Sequence, residues 1–238
     1  MMASVQAVRE VVVQRPADFW RQSDIAEAYD NGRFDNLRGR VYRWREERSI
    51  ERALRGVRPG STVLDAACGT GRITALLQQN GFRATGCDIS LAMMTVAHRR
   101  LTSLGYQVPL VETSVERLPY PDRSFDAATC IGLLMHLEAD VRVRALRELA
   151  RISRGPVLVQ YGCVDLFQRL SARLSRVPPG GVRYPVSLKE MRIDLERSGA
   201  EAYAAQGVDR LVVGTTSTDL NEQLRQLEAF ATLHGLRR

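Results

Sequence analysis

From Ser61 onward the chain alternates short apolar runs with longer amphipathic stretches. Val63-Leu64 heads the first apolar run, which passes through Asp65 into a turn of small residues, Ala66-Ala67-Cys68-Gly69-Thr70-Gly71. Ile73, Leu76 and Leu77 then share one helical face, and Gly81 stops that helix. Residues 83–87 read as a second strand ending in Asp88, followed by a helix over 91–101 with Ser90 as its cap. Residues 108–113 and 125–131 read as a third and a fourth strand. A long helix from Asp140 to about Ser153 is stopped by Gly155-Pro156, and 156–161 reads as a fifth strand. Strands separated by helices of this length predict parallel βαβ units with right-handed crossovers.

The flanks follow other rhythms. Residues 1–22 offer an apolar patch, Val11-Val12-Val13, and an aromatic pair, Phe19-Trp20. Ser23-Asp24 predicts a helix start for 25–29, stopped by Asn31-Gly32, and a second helix runs from about Val41 to Leu54. Pro59-Gly60 breaks the chain before the alternating part begins. Downstream, 163–186 interrupts the alternation with an amphipathic run (Leu166-Phe167, Leu170, Leu174) and Val177-Pro178-Pro179-Gly180-Gly181. Ser187-Leu188-Lys189-Glu190 is a capping box opening a helix that ends at Gly199. Residues 201–206 and 210–215 read as the last two strands, and Asp219 to the C-terminus as an amphipathic helix. The division predicted is a helical cap over 1–58, an α/β domain over 59–217 with the 163–186 insertion, and a terminal helix over 218–238.

Composition adds limits rather than direction. The 238 residues, 45% hydrophobic and 26% charged, suit one domain with an elaborated cap. A net charge of +7, carried mostly by arginine, permits nucleic acid or an anionic membrane as a partner. The arginines are spread along predicted helices, which reads as solvated faces. Cys68, Cys87, Cys130 and Cys163 fall in or beside predicted strands with no ligand spacing, so they read as small core residues in a reducing compartment, with no metal expected. Arg9 and Glu10 beside the N-terminal apolar run argue against a signal peptide, and the apolar run at 127–135 is far short of the ~20 residues a membrane span needs. A cytoplasmic location is expected.

The small-residue turn is where chemistry enters. A dinucleotide site would place a third glycine where this chain has Thr74, and no Gly-Lys-Ser/Thr occurs for a nucleoside triphosphate. Asp65 sits at the strand end, where a carboxylate is awkward beside a pyrophosphate and favourable beside a cationic ligand. S-adenosylmethionine, with a sulfonium, an ammonium, a carboxylate and no phosphate, fits. Here the sequence resembles the class I S-adenosylmethionine-dependent methyltransferases, whose first motif runs V-L-D-x-x-C-G-T-G. Asp88 lies 17 residues after Gly71, close to the ~20 at which an acid reaches ribose hydroxyls. The segment from Thr113 to Asp126, with Glu116, Leu118-Pro119 and Pro121-Asp122, resembles the family's G-D-A-E-x-L-P-F-P-D-x-S-F-D. One departure is Ser114, which stands where the family commonly has an acid.

The resemblance implies a Rossmann-like, doubly wound, seven-stranded and mostly parallel sheet, its last strand antiparallel, with the N-terminal piece and the insertion covering the cleft. It implies that Asp65, Gly69 and Gly71 hold the methionine part, with Ala66, Ala67, Cys68 and Thr70 of the same turn also at the cofactor, Asp88 the ribose, and Ser114, Val115 and Glu116 the adenine. Ile89, Met93, Cys130 and Ile131 would complete the cofactor site, with Tyr29 and Arg43 from the cap, Arg43 on the cofactor carboxylate. His136 falls where the family has a histidine facing the cleft, and it is either a general base or a brace for the next helix. The implied reaction is methyl transfer to an O, N or C atom of a small molecule, leaving S-adenosylhomocysteine. Three alternatives stay open: an RNA methyltransferase, favoured by charge alone; a non-catalytic cofactor-binding protein; and an NAD-dependent oxidoreductase, disfavoured by Thr74 and Asp65.

Overall fold

A computed structural model of the chain describes residues 19–161, 186–199 and 211–214. The apolar patch at 11–13, the insertion from 163, the strand expected at 201–206, the helix expected from Asp219 and Cys163 lie outside the described residues.

The cap contributes α1 (Ser23–Ala28), α2 (Asn31–Phe34) and α3 (Leu37–Ala53). The first helix ends ahead of Asn31-Gly32, as expected, and that pair then opens the short α2. The third helix starts four residues earlier than its apolar spacing suggested, because the Asn36 side chain accepts the Gly39 N–H at 2.8 Å and caps it.

Alternation then proceeds as β1 (Thr62–Ala66), α4 (Arg72–Gln79), β2 (Arg83–Asp88), α5 (Leu91–Ser103), β3 (Leu110–Glu112), β4 (Ala127–Cys130), α6 (Ala139–Ile152), β5 (Val157–Gln160), α7 (Leu188–Ser198) and β6 (Leu211–Gly214). Spatial order is β3-β2-β1-β4-β5-β6, and every pairing among these strands is parallel. The six described strands make an α/β, Rossmann-like sheet. Its last strand corrects an expectation: Leu211–Gly214 pairs parallel with β5, Val157 opposite Leu211, where an antiparallel strand was anticipated. A return of some fifty residues that includes α7 is a crossover, and a crossover brings the chain back in the same direction.

Neighbouring residues of β1 serve opposite faces. Leu64 joins Cys87, Ala128, Val157 and Val159 under Leu146, Leu149 and Ile152 of α6, with Met191 and Leu195 of α7. Val63 joins Ala84, Ala127 and Leu158 under Ile73, Leu76 and Leu77 of α4, Ile50 and Ala53 of α3 and the adjoining Leu54. Helices on both faces explain why the strands read as unbroken apolar runs rather than alternating ones. The order reverses between β1 and β4, and the crevice that this leaves beyond their carboxyl ends is where an open α/β sheet places its ligand.

Candidate active site

The crevice is a cleft of about 210 Å³. Of the residues expected around a cofactor, Tyr29, Asp65, Ala67, Cys68, Gly69, Thr70, Asp88, Ile89, Met93, Ser114, Val115, Glu116 and Ile131 line it, and His136 joins them. Four others do not. Ala66 and Cys130 have no exposed surface and pack inside the sheet core. Gly71 adopts a left-handed φ of 75° to start α4, and a Cβ there would stand 2.9 Å from the Ala97 Cβ, so its bareness serves helix packing. Arg43 projects from the outer side of α3, paired with Glu47 at 2.7 Å. The cation at the cleft is Arg72, which follows the turn directly, ion-pairs with Glu46 and lies 4.9 Å over the Phe34 ring.

The turn itself is shaped for close approach. Gly69 has φ 53° and open space where a Cβ would be, on the side of the cleft. Ala67 also holds a positive φ, 58°, a conformation that costs an alanine about 1 kcal/mol and that its neighbours must enforce. Asp88 at the end of β2 enforces it from outside. One carboxylate oxygen accepts the Gly69 N–H at 2.8 Å and the other the Ser90 N–H at 2.9 Å. Burial raises the Asp88 carboxyl above its ordinary value, and the backbone donors of Ser90 and Gly69 pull it back.

Asp65 is not the bare anion the sequence suggested. It is 1% exposed, and its two oxygens accept hydroxyls from Thr74 at 2.6 Å and Thr129 at 2.9 Å. Thr74, where a dinucleotide site would have glycine, ties α4 back to β1. Burial pushes the Asp65 carboxyl up to about 6, against the opposing pull of both hydroxyls and Arg72. Between the free value of 3.8 and about 6, the folded protein holds a proton that the unfolded chain has released. This group therefore favours folding at acid pH, and that contribution is lost as pH rises through about 6. An Asp65→Asn amide can accept from one threonine and donate to the other. The variant is expected to exceed the parent in stability by about 3 kcal/mol near pH 8 and to match it near pH 4. Thermal unfolding across that range checks this, and parallel curves would refute it.

The cap is pinned over the turn. The Asp30 carboxylate accepts the Thr70 hydroxyl at 3.0 Å and ion-pairs with Arg100 of α5. Ser90, having capped α5 through Met93 N–H, donates its own hydroxyl to the Trp20 carbonyl at 2.6 Å. Trp20 meets Tyr29 and His136 edge-on, with ring centroids 5.5 and 5.4 Å apart. Trp20 was missed as a lining residue, as were Arg72, Thr113, Leu133 and Leu137. The aromatic pair just before a helix start was its one visible sign. His136 sits in a turn of 3-10 helix, Leu134–His136, and is 6% exposed.

The Ser114–Glu116 wall is held from behind. Arg151 of α6 donates to the carbonyls of Tyr120 at 2.8 Å and Leu118 at 3.1 Å and pairs with Asp122 and Glu148. Glu148 in turn accepts the Leu118 N–H at 2.8 Å, and its hydrogen bonds with Arg151 hold its carboxyl below the usual range. Glu116 pairs with Arg144 of the same helix at 2.7 Å. Behind the cleft floor, Gln160 donates to Glu46 at 2.8 Å and to Tyr42 at 3.1 Å, and burial followed by the Glu46 charge pushes Tyr42 up to about 12. Burial also raises the thiol of Cys68, which lines the cleft, well above its ordinary value, as it does those of Cys87 and Cys130. Among the described residues no cluster of His, Cys, Asp and Glu could hold a metal, and no helix is long and apolar enough to cross a membrane.

A parallel sheet with a glycine turn, an acid at the end of β2 and a cleft at the switch point defines a class, and comparison with known proteins agrees. Residues 63–155 match the methyltransferase domain family, and the chain belongs to the class I S-adenosylmethionine-dependent methyltransferases. It is 30% identical over 169 residues to a demethylmenaquinone methyltransferase of Corynebacterium efficiens, covering 65% of this chain and 68% of that one. It is 35% identical over 159 residues to the ubiquinone/menaquinone biosynthesis C-methyltransferase UbiE of Nitrosospira multiformis, covering 64% and 61%. The chain spans about three fifths or less of the length of several such curated relatives, 58% and 51% in two of them. In fold it is similar to magnesium protoporphyrin IX methyltransferase of Synechocystis PCC 6803, solved with bound SAH, with a TM-score of 0.63 at 22% identity over 77% of this chain and 86% of that one.

Proposed function

We propose that the protein transfers a methyl group from S-adenosylmethionine to a small-molecule acceptor, releasing S-adenosylhomocysteine. The observation that carries this reading is the junction of Asp88, the open Gly69 position and an aromatic cap around one cleft. When bound, S-adenosylmethionine supplies a methyl already activated on a sulfonium. The chain's own work is then to bind, orient and keep water out. Asp88 retains acceptor positions for the ribose hydroxyls after serving Gly69 and Ser90. Gly69 and Ala67 let the methionine part approach the backbone, with Arg72 as the cation at hand. Ile89, Met93 and Val115 offer apolar faces to adenine, and Ser114 a hydroxyl.

Trp20 and Tyr29 close the cleft from the cap. Leu133, Leu137 and Trp20 beside His136 make an apolar end suited to a planar ring, and the named relatives make a quinol-type ring with carbon as the attacking atom our narrower expectation. His136 would take the proton from such an acceptor. We read residues 1–58 as the cap, 59–217 as the cofactor domain with 201–206 supplying a seventh strand, and 218–238 as an appended helix, and we place the protein in the cytoplasm.

Incubation of the full chain with methyl-labelled S-adenosylmethionine and a demethylated menaquinol, followed by mass spectrometry, should yield a labelled quinol. Failure to label that or any small molecule of a cell extract, with NADH bound in its place, would refute methyl transfer. His136→Gln is expected to lower kcat by about 100-fold with cofactor affinity unchanged, and to remove one limb of the pH–rate profile. A lowered Tm with an unaltered pH profile would make the histidine a brace.

A further inference from the structure

The outward face of α3 takes no part in the chemistry. Its inner face, through Tyr42, Glu46, Ile50 and Ala53, is turned to the body of the protein. On the opposite face Leu37, Val41 and Trp44, spaced four and three residues apart, form one stripe and are 71%, 47% and 59% exposed. Four residues further on, the same stripe reaches Arg48, and Arg40 and Arg52 stand exposed at its edges. The helix holds six arginines against three glutamates. Two of those glutamates are engaged elsewhere: Glu46 is buried against Arg72 and Gln160, and Glu47 bridges Arg43 and Arg72. The outer face is therefore apolar along its first two turns and cationic around and beyond them, with Glu51 beside Arg48 as a partial counterweight.

We infer that this face of α3 lies on the surface of an anionic phospholipid bilayer. Exposed leucine, valine and tryptophan in a row can enter the boundary between headgroups and acyl chains. The arginines at the rim meet the lipid phosphates, and the tryptophan is the residue best suited to that depth. Charge complementarity selects the lipid: the apolar stripe alone would suit any hydrophobic partner, but the ring of arginines needs anions spread around it. Nucleic acid would satisfy the arginines and leave Leu37 and Val41 in water. The inference stands on the cap alone and does not depend on methyl transfer.

The full chain is mixed with phosphatidylcholine vesicles, with and without phosphatidylglycerol, at about 0.1 M salt. The fraction sedimenting with lipid is expected to be at least about tenfold higher on the anionic vesicles and to fall as salt rises. Trp44→Ser with Val41→Ser should reduce that partition by about tenfold or more, and Arg40→Gln and Arg48→Gln by about fivefold each. All four positions are exposed, so Tm should be unchanged. Three results would overturn the inference: equal partition onto neutral and anionic lipid, undiminished partition of the Trp44→Ser, Val41→Ser protein, or a dimer or RNA complex that is lost in that variant while neither protein sediments with vesicles.

Discussion

An Asp88→Asn protein is expected to bind S-adenosylmethionine at least about 100-fold more weakly than the parent chain. The carboxylate offers about four acceptor positions; two are committed to the N–H groups of Gly69 and Ser90, and the Ile89 N–H draws on the carboxylate more weakly. The remainder are available to the two hydroxyls of a ribose. An asparagine has a single acceptor oxygen, and its amide must confront the Gly69 or the Ser90 donor with a donor of its own. Loss of two charge-assisted hydrogen bonds, at roughly 1.5–3 kcal/mol each, sets the affinity change. One buried N–H left without an acceptor adds a stability loss of about 1–3 kcal/mol. Calorimetric titration should show S-adenosylhomocysteine weakened by the same factor, because it carries the same ribose. An analogue lacking both ribose hydroxyls should bind parent and variant nearly alike. Parent-like affinity for S-adenosylmethionine in the variant would remove Asp88 from the site.

The largest stability effect is expected at Asp194. Its carboxylate accepts Arg142 Nε at 2.6 Å, and the two side chains are 3% and 6% exposed. The Tyr161 hydroxyl points at the same oxygen from 3.4 Å, while Arg142 donates a second bond to the Leu137 carbonyl at 2.8 Å. Asp194→Ala strands a guanidinium inside the protein, and the expected loss is about 3–5 kcal/mol, read from urea midpoints at constant m. That is a large share of a domain's usual 5–15 kcal/mol. The double variant Arg142→Met, Asp194→Leu removes both charges and should recover most of the loss, because desolvating an ion pair offsets much of its attraction. Leu137 lines the cleft, so the double variant should also turn over more slowly than its stability would suggest. A cost below about 1 kcal/mol for Asp194→Ala would mean that water reaches the arginine.

What could be read from the sequence was whatever the chain settles over a few residues. The glycine turn, the Ser90 cap, the capping box at Ser187 and Glu190, and the acid closing β2 are all local, and each stands where its spacing placed it. What escaped depends on partners far along the chain. Asp30 meets Arg100 and Trp20 meets Ser90, each across seventy residues, and no spacing rule connects them. Arg43 was expected at the cofactor from the family resemblance alone; only packing shows that it pairs with Glu47 away from the cleft and that Arg72 faces in. Asp65 was read by charge alone, and its two threonines lie on different elements. Gly71 was assigned to the ligand, but its missing side chain makes room for Ala97.

The thiols around the cleft carry a last consequence. A sulfonium methyl donor is an alkylating agent, and thiolates are among the strongest nucleophiles a protein can set beside one. Cys68 borders the cleft, with Cys87 and Cys130 in the sheet beneath, and burial keeps all three protonated. A thiol in that state is inert. A methyl donor bound in the proposed site would lie beside sulfur that does not consume it.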